Sequence, residues 1–202
     1  MNEVRPMYRE IAERLEESAQ TKRAVAESKI NEIGSIVEFM VTAYKAGGKV
    51  VLLGNGGSAA DAQHLASELV GRLVLNRQAF PAIAFTTNTS TLTAVANDYG
   101  YEAVFSRQVE ALVDEKDVVI GLSTSGDSSN VVKAIQLAKT KGAKTIGLTG
   151  GNGGRLAEVV DLALVVPSNN PPRIQEAHIT IGHIVCELVE RELLGSKPAN
   201  EV

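Results

Sequence analysis

Five short apolar runs alternate with helical patterns through most of this 202-residue chain, and this alternation constrains the fold more than any other feature. Each run has the length and β-branching of a buried strand. The predicted strands are Lys49–Leu53, Ala82–Thr86, Asp117–Leu122, Lys144–Leu148 and Leu162–Val166. Because continuous apolar strands that alternate with helices form parallel sheets buried on both faces, the sequence predicts an α/β fold with a five-stranded parallel sheet and helices on both faces.

Helical patterns also precede and follow the predicted sheet. Two come first, from about Val4 to Ala26 and from about Ile30 to Ala46, and a long one from about Arg173 to Leu194 closes the chain. No internal repeat or linker interrupts the pattern. We therefore expect residues 1–202 to form a single domain, with residues 1–46 as an N-terminal helical segment.

Charge and hydropathy narrow the classes of partner. The net charge is −4, and the basic residues form no cluster with aromatic residues among them, so nucleic acid is not a favoured ligand. No apolar run approaches the ~18 residues of a membrane span. We therefore expect no membrane association and a cytoplasmic location. The single cysteine, Cys186, lies among apolar residues, and we expect it to be a small buried hydrophobe.

The loop after the third predicted strand is rich in hydroxyl groups. Residues 123–129 read Ser-Thr-Ser-Gly-Asp-Ser-Ser and precede a helical pattern at Val131 to Lys141. Free backbone N–H groups at a helix N-terminus, together with Ser and Thr hydroxyls, favour binding of a phosphate. The loop lacks the lysine of the nucleotide P-loop, so a sugar phosphate fits better. The alternative is a helix cap, which needs only one of these hydroxyls.

The loop after the first predicted strand is rich in glycine. Its pattern Gly54-x-Gly56-x-x-Ala59 matches a loose dinucleotide fingerprint, but no carboxylate follows the second strand at Thr86 to Asn88, which disfavours that interpretation. Ser58, with Asp61 three residues later, is predicted to cap the next helix. Ligands of such sheets bind beyond the carboxyl ends of the strands, so we expect this loop and the hydroxyl-rich loop to share one site.

Three histidines and their polar neighbours are candidates for metal or substrate binding. His64 and Glu68 are four residues apart and project from one face of a helix, where they form either a shared ligand pair or an ordinary exposed ion pair. Gln175 and His183 are eight residues apart on the closing helix, about 12 Å along its axis. One metal binds both only if Gln175 precedes the regular helix or different subunits contribute them. We expect His178 to be structural or to lie at an interface.

Several motifs follow one another in the order of a known family, along nearly the whole chain. They are Gly54-Asn55-Gly56-Gly57-Ser58, Asp61-Ala62-Gln63-His64 with Glu68, Ala96-Asn97-Asp98, Ser123 to Ser128, and Arg173-Ile174-Gln175 with His178 and His183. These motifs resemble the sugar isomerase (SIS) domain family and, within it, the bacterial sedoheptulose 7-phosphate isomerases. A related SIS protein that binds a replication initiator lacks counterparts of Glu68 and His183, so their presence here favours the enzyme.

The resemblance implies a structure and a set of ligands. It implies a flavodoxin-like SIS fold and a homotetramer with active sites between subunits, in which residues 1–46 pack on the domain and at the subunit interface. It implies one zinc ion per subunit, bound by His64, Glu68, Gln175 and His183. The substrate contacts carried over from the family are Asn55, Gly56, Gly57, Glu68, Asn97, Asp98, Ser123, Thr124, Ser125, Ser128 and Gln175.

The resemblance also implies a reaction. The expected enzyme converts sedoheptulose 7-phosphate to D-glycero-D-manno-heptose 7-phosphate, the first step of nucleotide-activated heptose biosynthesis for lipopolysaccharide core or surface glycans. Moving a proton between C1 and C2 requires a base and stabilisation of an enediolate, and the family assigns these proton transfers to Glu68 as base and His183 as acid. The alternative is a non-catalytic SIS module that binds a phosphosugar or a replication initiator protein.

Overall fold

A computed structural model describes residues 5–195 of the chain. Its helices are α1 (Pro6–Ser28), α2 (Ile30–Lys45), α3 (Gly57–Val70), α4 (Thr89–Tyr99), α5 (Ser106–Leu112), α6 (Ser129–Thr140), α7 (Gly154–Val159) and α8 (Pro171–Leu194), with a 3-10 helix at Tyr101–Ala103. Its strands are β1 (Val50–Gly54), β2 (Ala82–Ala84), β3 (Val118–Leu122), β4 (Lys144–Gly150) and β5 (Leu162–Val166). None of the helices within residues 5–195 is long and apolar enough to cross a bilayer.

The five strands form one parallel sheet in the order β2-β1-β3-β4-β5, which confirms the predicted fold class. The chain runs from β1 to β2 on one side and then crosses to β3 on the other side. This reversal of direction opens a crevice between the carboxyl ends of β1 and β3, the usual ligand position in such sheets. Gly54 is paired with Leu122, so the glycine-rich and hydroxyl-rich loops begin side by side.

Two apolar cores cover the two faces of the sheet. Successive side chains of a strand point to opposite faces, so Val50 and Leu52 face one core, while Val51 and Leu53 face the other. Helices α2, α3 and α8 complete the first core, and α5, α6 and α7 complete the second. The double burial explains why the strands read as continuous apolar runs.

Some predicted boundaries differ from the observed ones. β2 ends at Ala84 rather than Thr86, because the chain turns there and the Thr87 hydroxyl donates to the Ala84 carbonyl. The predicted start of the first helix, Val4, lies outside the described residues. The prediction that Ser58 caps α3 was wrong. Gly56, at φ +55°, is the N-cap residue, and Ser58 lies buried inside the first turn.

A buried ion pair fixes the end of α3 to α8. The side chains of Arg77 and Glu190 are each 1% exposed, and their N–O distance is 2.7 Å. Burial raises the pKa of Glu190, but three backbone N–H groups from residues 73–75 and the Arg77 guanidinium hold it below its ordinary value. Arg77 also donates to the backbone carbonyls of Glu68 and Leu69. The backbone at Glu68 is thereby held in place by a group that water cannot reach.

Candidate active site

The hydroxyl-rich loop, residues 123–128, is organised by its own hydroxyl groups. The backbone N–H of Gly126 donates to the buried Ser123 hydroxyl at 3.2 Å, and the N–H of Asp127 donates to Ser125 at 3.2 Å. Ser128 is the N-cap residue of α6, but its hydroxyl forms no capping bond and instead lies 3.1 Å from that of Ser123. The N-cap residue of α6 therefore provides no side-chain cap, and capping by a serine of this loop does not account for its hydroxyl groups.

A second glycine-rich connection, residues 150–154, packs beneath the hydroxyl-rich loop. Gly126 has φ +72°, and a Cβ atom there would overlap the carbonyl oxygen of Gly153. The Leu156 N–H donates to the Gly126 carbonyl at 2.8 Å. Arg155 donates from its backbone N–H and its Nε to the Asp127 carboxylate. These contacts hold the shape of the hydroxyl-rich loop.

Gln175 reaches the crevice from the first turns of α8. Its amide covers the start of α3 so closely that a Cβ atom at Gly57 would overlap it. Burial raises the pKa of the neighbouring Asp61, while the Gln175 amide and His64 act in the opposite direction. The structure thus places Gln175, Asn55, Gly56 and the hydroxyl-rich loop around the carboxyl ends of β1 and β3.

His64, Glu68 and His183 form a second group on the paired faces of α3 and α8. The Nε2 atom of His64 lies 2.8 Å from that of His183 and 3.2 Å from Glu68 Oε1. One ligand atom from each residue falls within 4.8 Å of the others. The His64 side chain is 47% exposed and that of Glu68 is 18% exposed, so the group is open to solvent. Two imidazole nitrogens and a carboxylate oxygen are a suitable ligand set for Zn²⁺.

Gln175 lies near the start of α3, on the N-terminal side of His64. It contacts Gly57 and interacts with the Asp61 carboxylate, and His64 follows three residues after Asp61 on α3. Gln175 belongs to the regular part of α8, which begins at Pro171. The condition that Gln175 precedes the regular helix is therefore not met.

Asn97 and Asp98 lie near the end of α4 and are exposed. The Asn97 amide donates to the Asp98 carboxylate at 2.8 Å. Helix α4 contains no fully buried residue, although Leu92, Val95 and Ala96 pack against the second core. These two predicted substrate contacts are therefore available to a ligand or to another chain.

The sequence of the chain is similar to those of known proteins. A family model described as the SIS domain matches residues 14–150. The phosphoheptose isomerase of Geobacter sulfurreducens is 52% identical over 187 residues, which cover 93% of this chain and 99% of the relative. The chain belongs to the phosphoheptose isomerases of the SIS domain family. This membership confirms the resemblance found in the motifs.

Solved structures of this family have the same fold. The phosphoheptose isomerase from Neisseria gonorrhoeae superposes with a TM-score of 0.87 at 39% identity, covering 91% of this chain and 98% of that one. The phosphoheptose isomerase from Francisella tularensis gives a TM-score of 0.89 at 38% identity, covering 92% and 98%. The match extends beyond residue 150, where the family model ends.

Two titratable residues of α8 are structural. His178 is fully buried, its Nε2 lies 3.1 Å from the Thr149 carbonyl, and burial lowers its pKa to about 4. A carbonyl can only accept, so the proton of the neutral ring is on Nε2. Burial raises the pKa of Cys186 to about 12, so its thiol is not reactive. Both residues behave as the sequence predicted.

Proposed function

We propose that this protein is an aldose–ketose isomerase that converts sedoheptulose 7-phosphate to D-glycero-D-manno-heptose 7-phosphate. The observation that carries the proposal is the convergence of the Glu68 carboxylate and the His64 and His183 imidazoles within 4.8 Å. Binding of a phosphosugar requires no such group, whereas proton transfer between two carbons requires a base and an acid. A relative that is 52% identical is named for this class of reaction.

The phosphate of the sugar binds at the hydroxyl-rich loop. The Ser and Thr hydroxyls of residues 123–128 and the N–H groups of the first turn of α6 donate to its oxygens, and the helix dipole favours its charge. Asn55, Gly56, Gly57, Asn97, Asp98 and Gln175 contact the remaining atoms of the substrate. No lysine or arginine belongs to this loop, so neutral donors carry phosphate recognition.

Glu68 and His183 move the protons. The Glu68 carboxylate takes the proton from C1 or C2 and returns it to the other carbon, while His183 donates a proton to the carbonyl oxygen of one carbon and takes the hydroxyl proton from the other. Arg77 keeps the Glu68 backbone in place. The zinc ion that His64, Glu68, Gln175 and His183 would hold supplies a positive charge that stabilises negative charge on the enediolate oxygens.

The active protein is a homotetramer, and each active site lies between subunits. Gln175 contacts Gly57 at the start of α3, and a site between subunits would bring a Gln175 side chain to the His64 group. Helix α1 supports this assembly, because Met7, Ile11 and Leu15 form an exposed apolar stripe. In this proposal, residues 1–202 are a single domain. Its N-terminal segment, residues 1–46, packs both on the rest of the domain and at the subunit interface.

The biological setting follows from the proposed product. A heptose 7-phosphate is the starting point for nucleotide-activated heptose, which supplies lipopolysaccharide core or other surface glycans. The enzyme acts in the cytoplasm, with one zinc ion per subunit.

The test is an assay of purified, zinc-loaded protein with sedoheptulose 7-phosphate. ¹³C NMR of C1-labelled substrate follows the ketose signal as it is replaced by that of the aldose. We expect turnover, with one product. Binding of the sugar phosphate without any turnover would instead identify a non-catalytic SIS module.

A further inference from the structure

A reciprocal pair of amides links the two loops of the crevice. Asn55 follows β1, and Asn130 lies in the first turn of α6, immediately after the hydroxyl-rich loop. The Asn55 Nδ2 donates to Asn130 Oδ1 at 2.9 Å, and the Asn130 Nδ2 donates to Asn55 Oδ1 at 2.9 Å. The hydroxyl of Tyr101, in the 3-10 helix after α4, also donates to Asn55 Oδ1, at 3.0 Å. Three separate segments therefore meet at one side chain.

The orientation of both amides is fixed by a backbone group. The N–H of Val131 donates to Asn130 Oδ1 at 3.0 Å. A backbone N–H cannot accept, so the Asn130 atom that faces it must be oxygen. The other Asn130 atom is then the NH₂ group, and the atom of Asn55 opposite it must be an acceptor. Asn130 is buried, so solvent offers no alternative partners.

This orientation decides what Asn55 can offer a ligand. Its Oδ1 accepts from Asn130 and from Tyr101, which uses both lone pairs of the oxygen. One N–H of its NH₂ group donates to Asn130, and the second has no protein partner among residues 5–195. Asn55 is half-buried at the edge of the crevice, so this second N–H can meet a substrate. It can donate one hydrogen bond and accept none.

We propose that Asn130 and Tyr101 are positioning residues that hold Asn55 as a hydrogen-bond donor to an acceptor oxygen of the sugar phosphate. The inference rests on the proposed function, which places Asn55 against the substrate. This acceptor is an oxygen that carries no proton, such as a phosphate or carbonyl oxygen. Without Asn130, the Asn55 amide can rotate and present its carbonyl instead, which repels such an oxygen.

A double-mutant cycle tests whether Asn130 acts through Asn55. Asn130→Ala lowers kcat/KM by about tenfold in the otherwise unchanged protein, and by less than twofold when Asn55 is already alanine. A purely structural role would give the same loss in both backgrounds, and that result would overturn the proposal. Thermal unfolding of each variant is measured alongside, so that activities are compared only between folded proteins.

Tyrosine variants provide a matched pair. Tyr101→Phe removes the hydroxyl that donates to Asn55, and we expect kcat/KM to fall about threefold. Tyr99→Phe makes the same change two residues away, at an equally exposed ring whose hydroxyl has no hydrogen-bonding partner within residues 5–195, and should leave kcat/KM unchanged. Equal effects of the two substitutions would count against a role for Tyr101.

The donor role of Asn55 is tested by changing its chemistry. Asn55→Asp keeps the shape of the side chain but makes it an acceptor only, so it repels an acceptor oxygen. We expect it to weaken binding of sedoheptulose 7-phosphate more than Asn55→Ala does. Asn31→Asp, on the exposed face of α2, makes the same change in charge and serves as the control. If Asn55→Asp binds the substrate as well as Asn55→Ala or better, the proposal is wrong.

A measurement without turnover separates this proposal from the proposed function. In ¹⁵N NMR spectra of the substrate-free protein, the Asn55 amide proton that is bonded to Asn130 should be displaced from the shift of a free amide and should exchange slowly with solvent. Asn55→Ala assigns the pair of signals. Asn130→Ala should make both protons exchange rapidly and move the formerly bonded proton to the shift of a free amide. Unchanged signals in Asn130→Ala would overturn the positioning of Asn55 by Asn130, even if the protein is an active isomerase. The absence of turnover with any sugar phosphate would overturn only the proposed reaction.

Discussion

The Nε2 atoms of His64 and His183 lie 2.8 Å apart, although 119 residues separate them in the chain. Helices α3 and α8 run side by side in the same direction, and a Cβ atom at Gly182 would overlap Leu65, so the helices approach closely. The two rings meet edge to face, with their centroids 5.0 Å apart. Two imidazole nitrogens that face each other in this way can share a proton or a cation.

The first prediction concerns that cation. Wild-type protein prepared without chelators should contain up to one zinc ion per subunit by elemental analysis. His64→Ala should lose the metal, because it removes one of the two imidazole ligands. Gln63→Ala changes the exposed neighbouring residue and should retain the metal. A full complement of zinc in His64→Ala would place the metal elsewhere.

The second prediction concerns the phosphate. Ser123→Ala and Ser125→Ala should each weaken binding of sedoheptulose 7-phosphate by about 1–3 kcal/mol, the usual effect of losing a hydrogen bond to a charged group. The larger loss is expected for Ser123→Ala, because the Ser123 hydroxyl also accepts from the Gly126 N–H inside the loop. Calorimetric titration measures the affinity, and Ser28→Ala on α1 is the control. Unchanged affinity in both variants would mean that the phosphate binds outside this loop.

The sequence predicted the architecture because the relevant signals are local. A strand buried on both faces must be apolar at every position, and β1 and β3 satisfy this rule. The loops that follow these strands could be assigned to one site, since parallel strands end at the same edge. The close approach of Glu68 and His64 was also predictable from their spacing of four residues on one helix.

Contacts between distant segments could not be predicted from these local signals. The packing of Gly126 against Gly153 depends on how closely two separate loops approach each other, which the sequence of neither loop encodes. The pairing of Asn55 with Asn130 depends on the distance between the ends of β1 and β3, which no periodicity encodes. The N-cap of α3 was assigned to Ser58 from a capping pattern, whereas the turn required a positive φ that Gly56 supplies.

The third prediction uses the buried His178. Its pKa is lowered from 6.5 to about 4 in the folded protein, and its Nδ1 is buried without a hydrogen-bonding partner among residues 5–195. The pKa of His178 is lower in the folded than in the unfolded protein. The contribution of the neutral ring to stability is therefore complete above pH ~6.5 and is lost as the pH falls toward 4.

The expected loss over this range is about 3 kcal/mol in the free energy of unfolding, since each pH unit between the two pKa values corresponds to about 1.4 kcal/mol. His178→Gln cannot become charged but can still donate to Thr149. Urea unfolding of both proteins between pH 7 and pH 4 should therefore show a steeper decline for the wild type. Parallel pH profiles would contradict the assignment of this ring as neutral and buried.

The last prediction concerns Glu68 as the base. Glu68→Gln keeps the size of the side chain but removes its basicity, and a positioned base contributes ~10²–10⁴-fold, so turnover should fall by at least that factor. His183→Ala should lose a comparable factor, and the double variant little more, because both groups serve one sequence of proton transfers. Glu38→Gln, on the exposed face of α2, is the control for the change in charge and should retain full turnover. Since a metal ligand is altered as well, zinc content is measured in each variant. Near-wild-type turnover of Glu68→Gln would exclude Glu68 as the base, because a glutamine side chain cannot accept the proton from carbon.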